Sequence, residues 1–126
     1  MILDTSFMID YLRGDEGAGD AMENVGVAYL SSVTVMELWE GIHLAESTES
    51  ERTAVEGFLK DIDELAFTRE CAMTAGRLNA ELVENGTPVD EIDVMIAATA
   101  VVHDKPVLTR NEAHFGAIEG VKVVTY

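Results

Sequence analysis

Short apolar runs alternate along this chain with longer stretches in which apolar residues recur every three or four positions. The runs "MIL" at the start, "VAYLSS" from Val27, "PVLT" from Pro106 to Thr109 and "VKVVTY" from Val121 read as buried strands. "LAFT" at 65–68 is a weaker strand candidate. The helical spacing falls between them. "SFMIDYLRG" carries apolar residues at 7, 8, 11 and 12 and stops at Gly14, and "TVMELWEGIHLAES" repeats them at the same interval. "ESERTAVEGFLKDIDEL" puts Val55, Phe58, Leu59 and Ile62 on one stripe. "RECAMTAGRLNAELVENG" ends at Gly86, a candidate left-handed residue just past a helix. "DEIDVMIAATAVVHD" is apolar nearly all round after its first turn and is expected to be buried on most sides, with Ala97, Ala98 and Ala100 allowing close approach. Strands alternating with helices predict an α/β fold: a parallel sheet of four to five strands with helices on both faces.

At 126 residues the chain is expected to form one domain able to bury a core without disulfide or structural metal. Its single cysteine, Cys71, excludes an internal disulfide framework and suits a reducing cytoplasm. The start lacks a basic segment of the signal-peptide kind, and "VMIAATAVV" is far short of the ~20 residues that span a bilayer. Acids number 24 against 8 bases, for a net charge of −16. Such a balance reads as a solvated acidic surface, of the kind suited to concentrated salt, and argues against broad nonspecific nucleic-acid binding. A nuclease whose phosphate contacts run through metal ions remains compatible with it.

Four polar residues recur at equivalent places. Asp4 follows the first strand, Glu37 lies near the start of the helix after "VAYLSS", Asp93 is in the first turn of the buried helix, and Asn111 follows "PVLT". Each has a plain local reading. Asp4 suits an N-cap, Thr34-x-x-Glu37 and Asp90-x-x-Asp93 have capping-box form, and Asn111 is an ordinary turn residue. In a parallel sheet, however, the carboxyl ends of all strands share one edge, where ligands bind. Three carboxylates and an amide oxygen gathered there repel one another without a cation, and their hard oxygens suit Mg²⁺ or Mn²⁺. The histidines show no zinc spacing: His43 and His103 are expected on helix surfaces and His114 in a loop. Trp39 is expected at the edge of the core.

The blocks "MILDTSFMIDYLRG", "SSVTVMELWEG", "DEIDVMIAATA" and "VLTRNEAHF" resemble, in order and spacing, those of PIN-domain ribonucleases, most nearly the VapC-type toxins of toxin–antitoxin pairs, over residues 1–126. The resemblance implies a PIN-like three-layer fold and Mg²⁺- or Mn²⁺-dependent hydrolysis of RNA phosphodiesters. It also implies a VapB-type antitoxin partner, a homodimer and a cytoplasmic location. By position, Asp4, Glu37 and Asp93 resemble the family's metal-binding acids, and Asn111 stands where many members carry a fourth. Thr5 and Ser6 resemble the hydroxyls beside the first acid, able to bond a carboxylate or bound water. Arg110, next to the site, is a candidate phosphate contact. Two rivals stand beside this reading. One is a non-catalytic PIN-like module binding RNA or a partner. The other is a phospho-acceptor receiver domain, which needs an acidic pair after the first strand where "MILDTS" offers one acid.

Overall fold

A computed structural model describes residues 1–126. Five strands form one sheet in the order β3-β2-β1-β4-β5, every neighbouring pair parallel. They are β1 (Ile2–Leu3), β2 (Tyr29–Ser31), β3 (Asp63–Leu65), β4 (Val107–Leu108) and β5 (Val123–Val124). Seven helices connect and flank them: α1 (Thr5–Leu12), α2 (Glu16–Glu23), α3 (Ser32–Leu44), α4 (Glu49–Asp61), α5 (Arg69–Glu84), α6 (Glu91–Val102) and α7 (Glu112–Gly116).

The strands are only two or three residues long, yet their alternation divides two cores. Ile2 and Val107, paired in register, face a cluster built with Leu78 and Leu82 of α5, Ile96 and Ala97 of α6, and Phe115 of α7. The next residues, Leu3 and Leu108, also in register, face Phe7 and Met8 of α1 and Leu38 of α3 on the other side. One step along a strand moves a side chain across the sheet, so both faces must be apolar and covered. Ala97, Ala98 and Ala100 are buried, as the small residues of an all-round apolar helix should be. The Val55, Phe58, Leu59 and Ile62 stripe packs against the α1 side of the sheet, half-buried.

Several local expectations are corrected. The strand near "LAFT" lies two residues earlier, at Asp63–Leu65, and α4 therefore stops at Asp61 instead of running on through "IDEL". The apolar pattern predicts neither of the short helices α2 and α7: α2 buries Ala18 with Ala21 and Met22 packed beside it, a stripe only one turn long, and α7 is anchored by Phe115. Gly86 follows the Asn85 C-cap with φ +70°, the conformation glycine adopts without cost. Trp39 is 40% exposed, beyond the core that Leu38 and Ile42 enter.

The sheet order also fixes where a ligand fits. From β1 the chain steps outward through β2 to β3, then returns to the other side of β1 for β4 and β5. The change of direction falls between β1 and β4, and a crevice at their carboxyl ends follows from it. No helix is long and apolar enough to cross a membrane.

Candidate active site

Asp4 comes straight off β1 into that crevice. It occupies the N-cap position of α1, but its side chain makes no cap bond. Its Oδ2 instead accepts from Ser6 Oγ and from Thr109 Oγ1, each at 2.7 Å. Asp4 is 1% exposed, a carboxylate at the sheet edge that would cost several kcal/mol to bury without these donors. Thr109 comes from the end of β4, 105 residues away, so a single hydroxyl ties the two central strands at their carboxyl ends. The same Oγ1 accepts the backbone N–H of Asn111 at 2.9 Å, fixing the turn after β4.

Glu37 stands in the second turn of α3. That helix starts at Ser32, with Ser31 accepting the Val33 N–H, so Thr34 lies inside it and caps nothing. Thr5 Oγ1 donates to Glu37 Oε1 at 2.5 Å, and the buried Thr34 hydroxyl lies 3.2 Å from the same Thr5 oxygen. Burial pushes the Glu37 carboxyl above its ordinary range; the Thr5 bond opposes this, and the charges of Asp4, Asp93 and Asp90 add to it.

Asp93 sits in the first turn of α6, which Asp90 caps by accepting the Ile92 N–H. Asp90 is thus the true cap, and Asp93 is left to face the crevice. Its Oδ2 lies 3.1 Å from His114 Nδ1. Burial also raises the Asp93 carboxyl, with Asp4 the next cause and the His114 bond opposing. The three acids therefore form one electrostatic unit, since Asp4 raises both of the others and Asp93 raises Glu37. No three carboxylate, imidazole or thiolate groups enclose a common point tightly enough to hold an ion as they stand. Glu37 and Asp93 are each drawn to a neighbour, Thr5 and His114.

The remaining expected residues take more specific places. Thr5 and Ser6 direct their hydroxyls to Glu37 and Asp4, so each holds an acid in place. Asn111 is half-buried at the N-cap position of α7 and makes no cap bond. Arg110 is exposed, and its Nη1 contacts both oxygens of Asp10 at 2.8 and 3.0 Å. His114 is in α7, not a loop, and contacts an acid. Thr109 and His114 escaped sequence reasoning. The only signals were a threonine at a strand end and a histidine three residues past Asn111, one helical turn on.

Known proteins share this fold. A family model for the PIN domain matches residues 1–120. The tRNA(fMet)-specific endonuclease VapC of Salmonella typhimurium is 35% identical over 94 residues, 75% of this chain and 71% of that relative. Ribonuclease VapC19 of Mycobacterium tuberculosis is 31% identical over 118 residues, 90% of each chain. The crystal structure of DNA-bound VapBC from Salmonella typhimurium superposes with a TM-score of 0.90 at 31% identity, covering 98% of this chain and 96% of that one.

Proposed function

The chain belongs to the PIN-domain family, as a VapC-type member, and from that premise we propose that it is a divalent-metal-dependent endoribonuclease acting as the toxin of a toxin–antitoxin pair. The observation that carries this is the gathering of Asp4, Glu37 and Asp93 at the switch point of the sheet, close enough that the Asp4 charge raises both of the others. A fold that only bound a partner has no need of three half-buried or buried acids that destabilise one another.

PIN-domain ribonucleases generally use divalent metals. The donor set of this chain fits Mg²⁺ or Mn²⁺. Its candidates are all oxygens, they carry excess negative charge, and Asp4 engages only Oδ2 in hydrogen bonds. In this reading Asp4, Glu37 and Asp93 hold the ion, with Asn111 contributing weakly because an amide brings no charge. To hold the ion, Glu37 and Asp93 would give up their contacts with Thr5 and His114. When bound, the ion supplies Lewis-acid activation of water and charge neutralisation at the phosphoryl group. Glu37 would either ligate the ion directly or orient the attacking water and take its proton. Ser6 and Thr109 orient Asp4 by donating to its Oδ2, and Thr5 orients Glu37 in the metal-free site. Arg110 contacts a phosphate of the RNA.

A VapB-type antitoxin is the proposed inhibitor. A groove of about 560 Å³ between α1, α3 and α4 is lined by Ile9, Leu38, Ile42 and Val55 and reaches Glu37. Its apolar floor suits an amphipathic segment, and the acids at its end suit a basic one. A homodimer and a cytoplasmic location complete the proposal, together with the working of residues 1–126 as a single domain. Met73 and Val83 are apolar side chains exposed on α5 and open to a second copy.

The test is cleavage of RNA by pure protein in Mn²⁺, with EDTA as control. Wild type is expected to cut and Asp4→Asn to lose at least about 10²-fold, the scale of one lost metal ligand or its support. RNA binding without cleavage would favour the binding-only module, and cleavage in EDTA would refute the metal.

A further inference from the structure

Asp10 belongs to no motif of the site, yet two distant segments meet on it. Arg110 Nη1 reaches both of its oxygens, and Tyr126 Oη donates to Oδ2 at 2.5 Å, across 100 and 116 residues of sequence. We propose that Asp10 and Tyr126 form a clamp that holds the Arg110 guanidinium at the β4 side of the crevice, as a fixed contact for the RNA phosphate next to the one being cut. This rests on the nuclease reading and names how its substrate is seated.

Placement comes first. Along the carboxyl edge of the sheet the order is Glu37 after β2, Asp4 after β1, Arg110 after β4 and Tyr126 after β5. Arg110 therefore flanks Asp4 on the side away from Glu37. Asp10 is one turn along α1 from Ser6, the residue that bonds Asp4, so the clamp and the acids share a helix face. A strand laid across Glu37 and Asp4 runs on to Arg110.

The contacts leave the arginine available. Both bonds to Asp10 use Nη1, and Nη2 and Nε remain free to meet a phosphate. The Arg110 side chain is 53% exposed while that of Asp10 is 16% exposed, so the acid is the inner partner and the cation the outer one. The clamp is also anchored. The Tyr126 ring packs edge-on against the fully buried Phe7, centroids 5.0 Å apart. Rotamer freedom of an arginine is a cost of binding, and an arginine held in advance binds with less of it. In a chain with 8 bases against 24 acids, diffuse attraction to RNA is absent, so a fixed cation at the cleft has more to do.

The experiment is Mn²⁺-dependent cleavage of a single-stranded RNA oligonucleotide by full-length protein. Wild type, Arg110→Gln, Tyr126→Phe, Asp10→Asn and the Arg110→Gln/Tyr126→Phe double variant are compared, with melting temperatures to confirm folding. Arg110→Gln is expected to raise KM about tenfold with kcat within about threefold, and to lower the slope of log(1/KM) on log[salt] by about 0.7. Tyr126→Phe is expected to raise KM about threefold, the scale of one freed rotamer-rich side chain, and to do nothing further in the Arg110→Gln background. An equal effect of Tyr126→Phe in both backgrounds assigns it a merely structural role and overturns the clamp. A fall in KM on Tyr126→Phe or Asp10→Asn overturns it too, because Asp10 would then be withholding Arg110 from RNA. The clamp has a readout apart from cleavage: the Arg110 guanidinium protons should exchange slowly in the wild-type NMR spectrum and rapidly in Tyr126→Phe. Slow exchange in a wild type that cuts no RNA would discard the nuclease reading and keep the clamp. Rapid exchange in wild type would discard the clamp alone.

Discussion

Replacing Asp93 by asparagine should stabilise the metal-free protein while abolishing its response to metal. The Asp93 side chain is 17% exposed, and its carboxyl is raised by burial first and by Asp4 second. A raised acid is destabilising when ionised, by about 1.4 kcal/mol for each pKa unit. The amide of Asp93→Asn would keep the shape without the charge. The weaker bond then left to His114, an exposed partner, returns a fraction of the gain. The net expectation is a higher melting temperature in the variant, on a scale where each 1 kcal/mol is worth ~4 °C for a domain of this size. With Mn²⁺ at about a hundredfold excess over its dissociation constant, wild type should gain ~2.7 kcal/mol, about 10 °C, because binding favours only the folded state. The variant should gain little. Differential scanning fluorimetry in EDTA and across a Mn²⁺ series therefore gives two effects of opposite sign. A variant that melts lower than wild type in EDTA and rises equally with Mn²⁺ would show that the acids neither repel each other nor share an ion.

Three further outcomes follow from the same site. In EDTA, stability should rise as pH falls from 7 toward 5. Glu37 and Asp93 have folded values above their unfolded ones, so the stability linked to their protonation is complete below the unfolded values and lost as pH rises through the folded ones; a melting temperature falling steadily from pH 7 downward would contradict this. Thr109→Val removes a donor from Asp4 and the acceptor of the Asn111 N–H, and should cost about 1–3 kcal/mol in urea unfolding, together with most of the cleavage activity; a neutral result would mean that Asp4 is held by Ser6 alone. Asn111→Asp adds a fourth acid to the edge, and should lower the melting temperature in EDTA while tightening Mn²⁺ binding severalfold by calorimetry; unchanged affinity would place residue 111 outside the site.

The sequence by itself determined the class of fold and the alternation of its elements. Strand and helix periods are local: residues 1–3 and 106–109 declare themselves by apolar content, and α6 by being apolar on every side. The family was legible too, because four motifs in fixed order are a property of the chain alone. Local patterns misled at Thr34-x-x-Glu37. The same spacing occurs inside a helix as at its start, and only the position of Ser31, at the end of β2, decides which it is. They were silent on α2 and α7, whose apolar contacts span no more than one turn.

What only the tertiary structure decided is which groups touch. Thr109 on Asp4, Thr5 on Glu37, His114 on Asp93 and Tyr126 on Asp10 join residues 21 to 116 positions apart. Each is set by the strand order β3-β2-β1-β4-β5, which no local spacing encodes. A carboxylate's ionisation depends on the donors and charges within a few ångströms of it, and those arrive only when the sheet assembles.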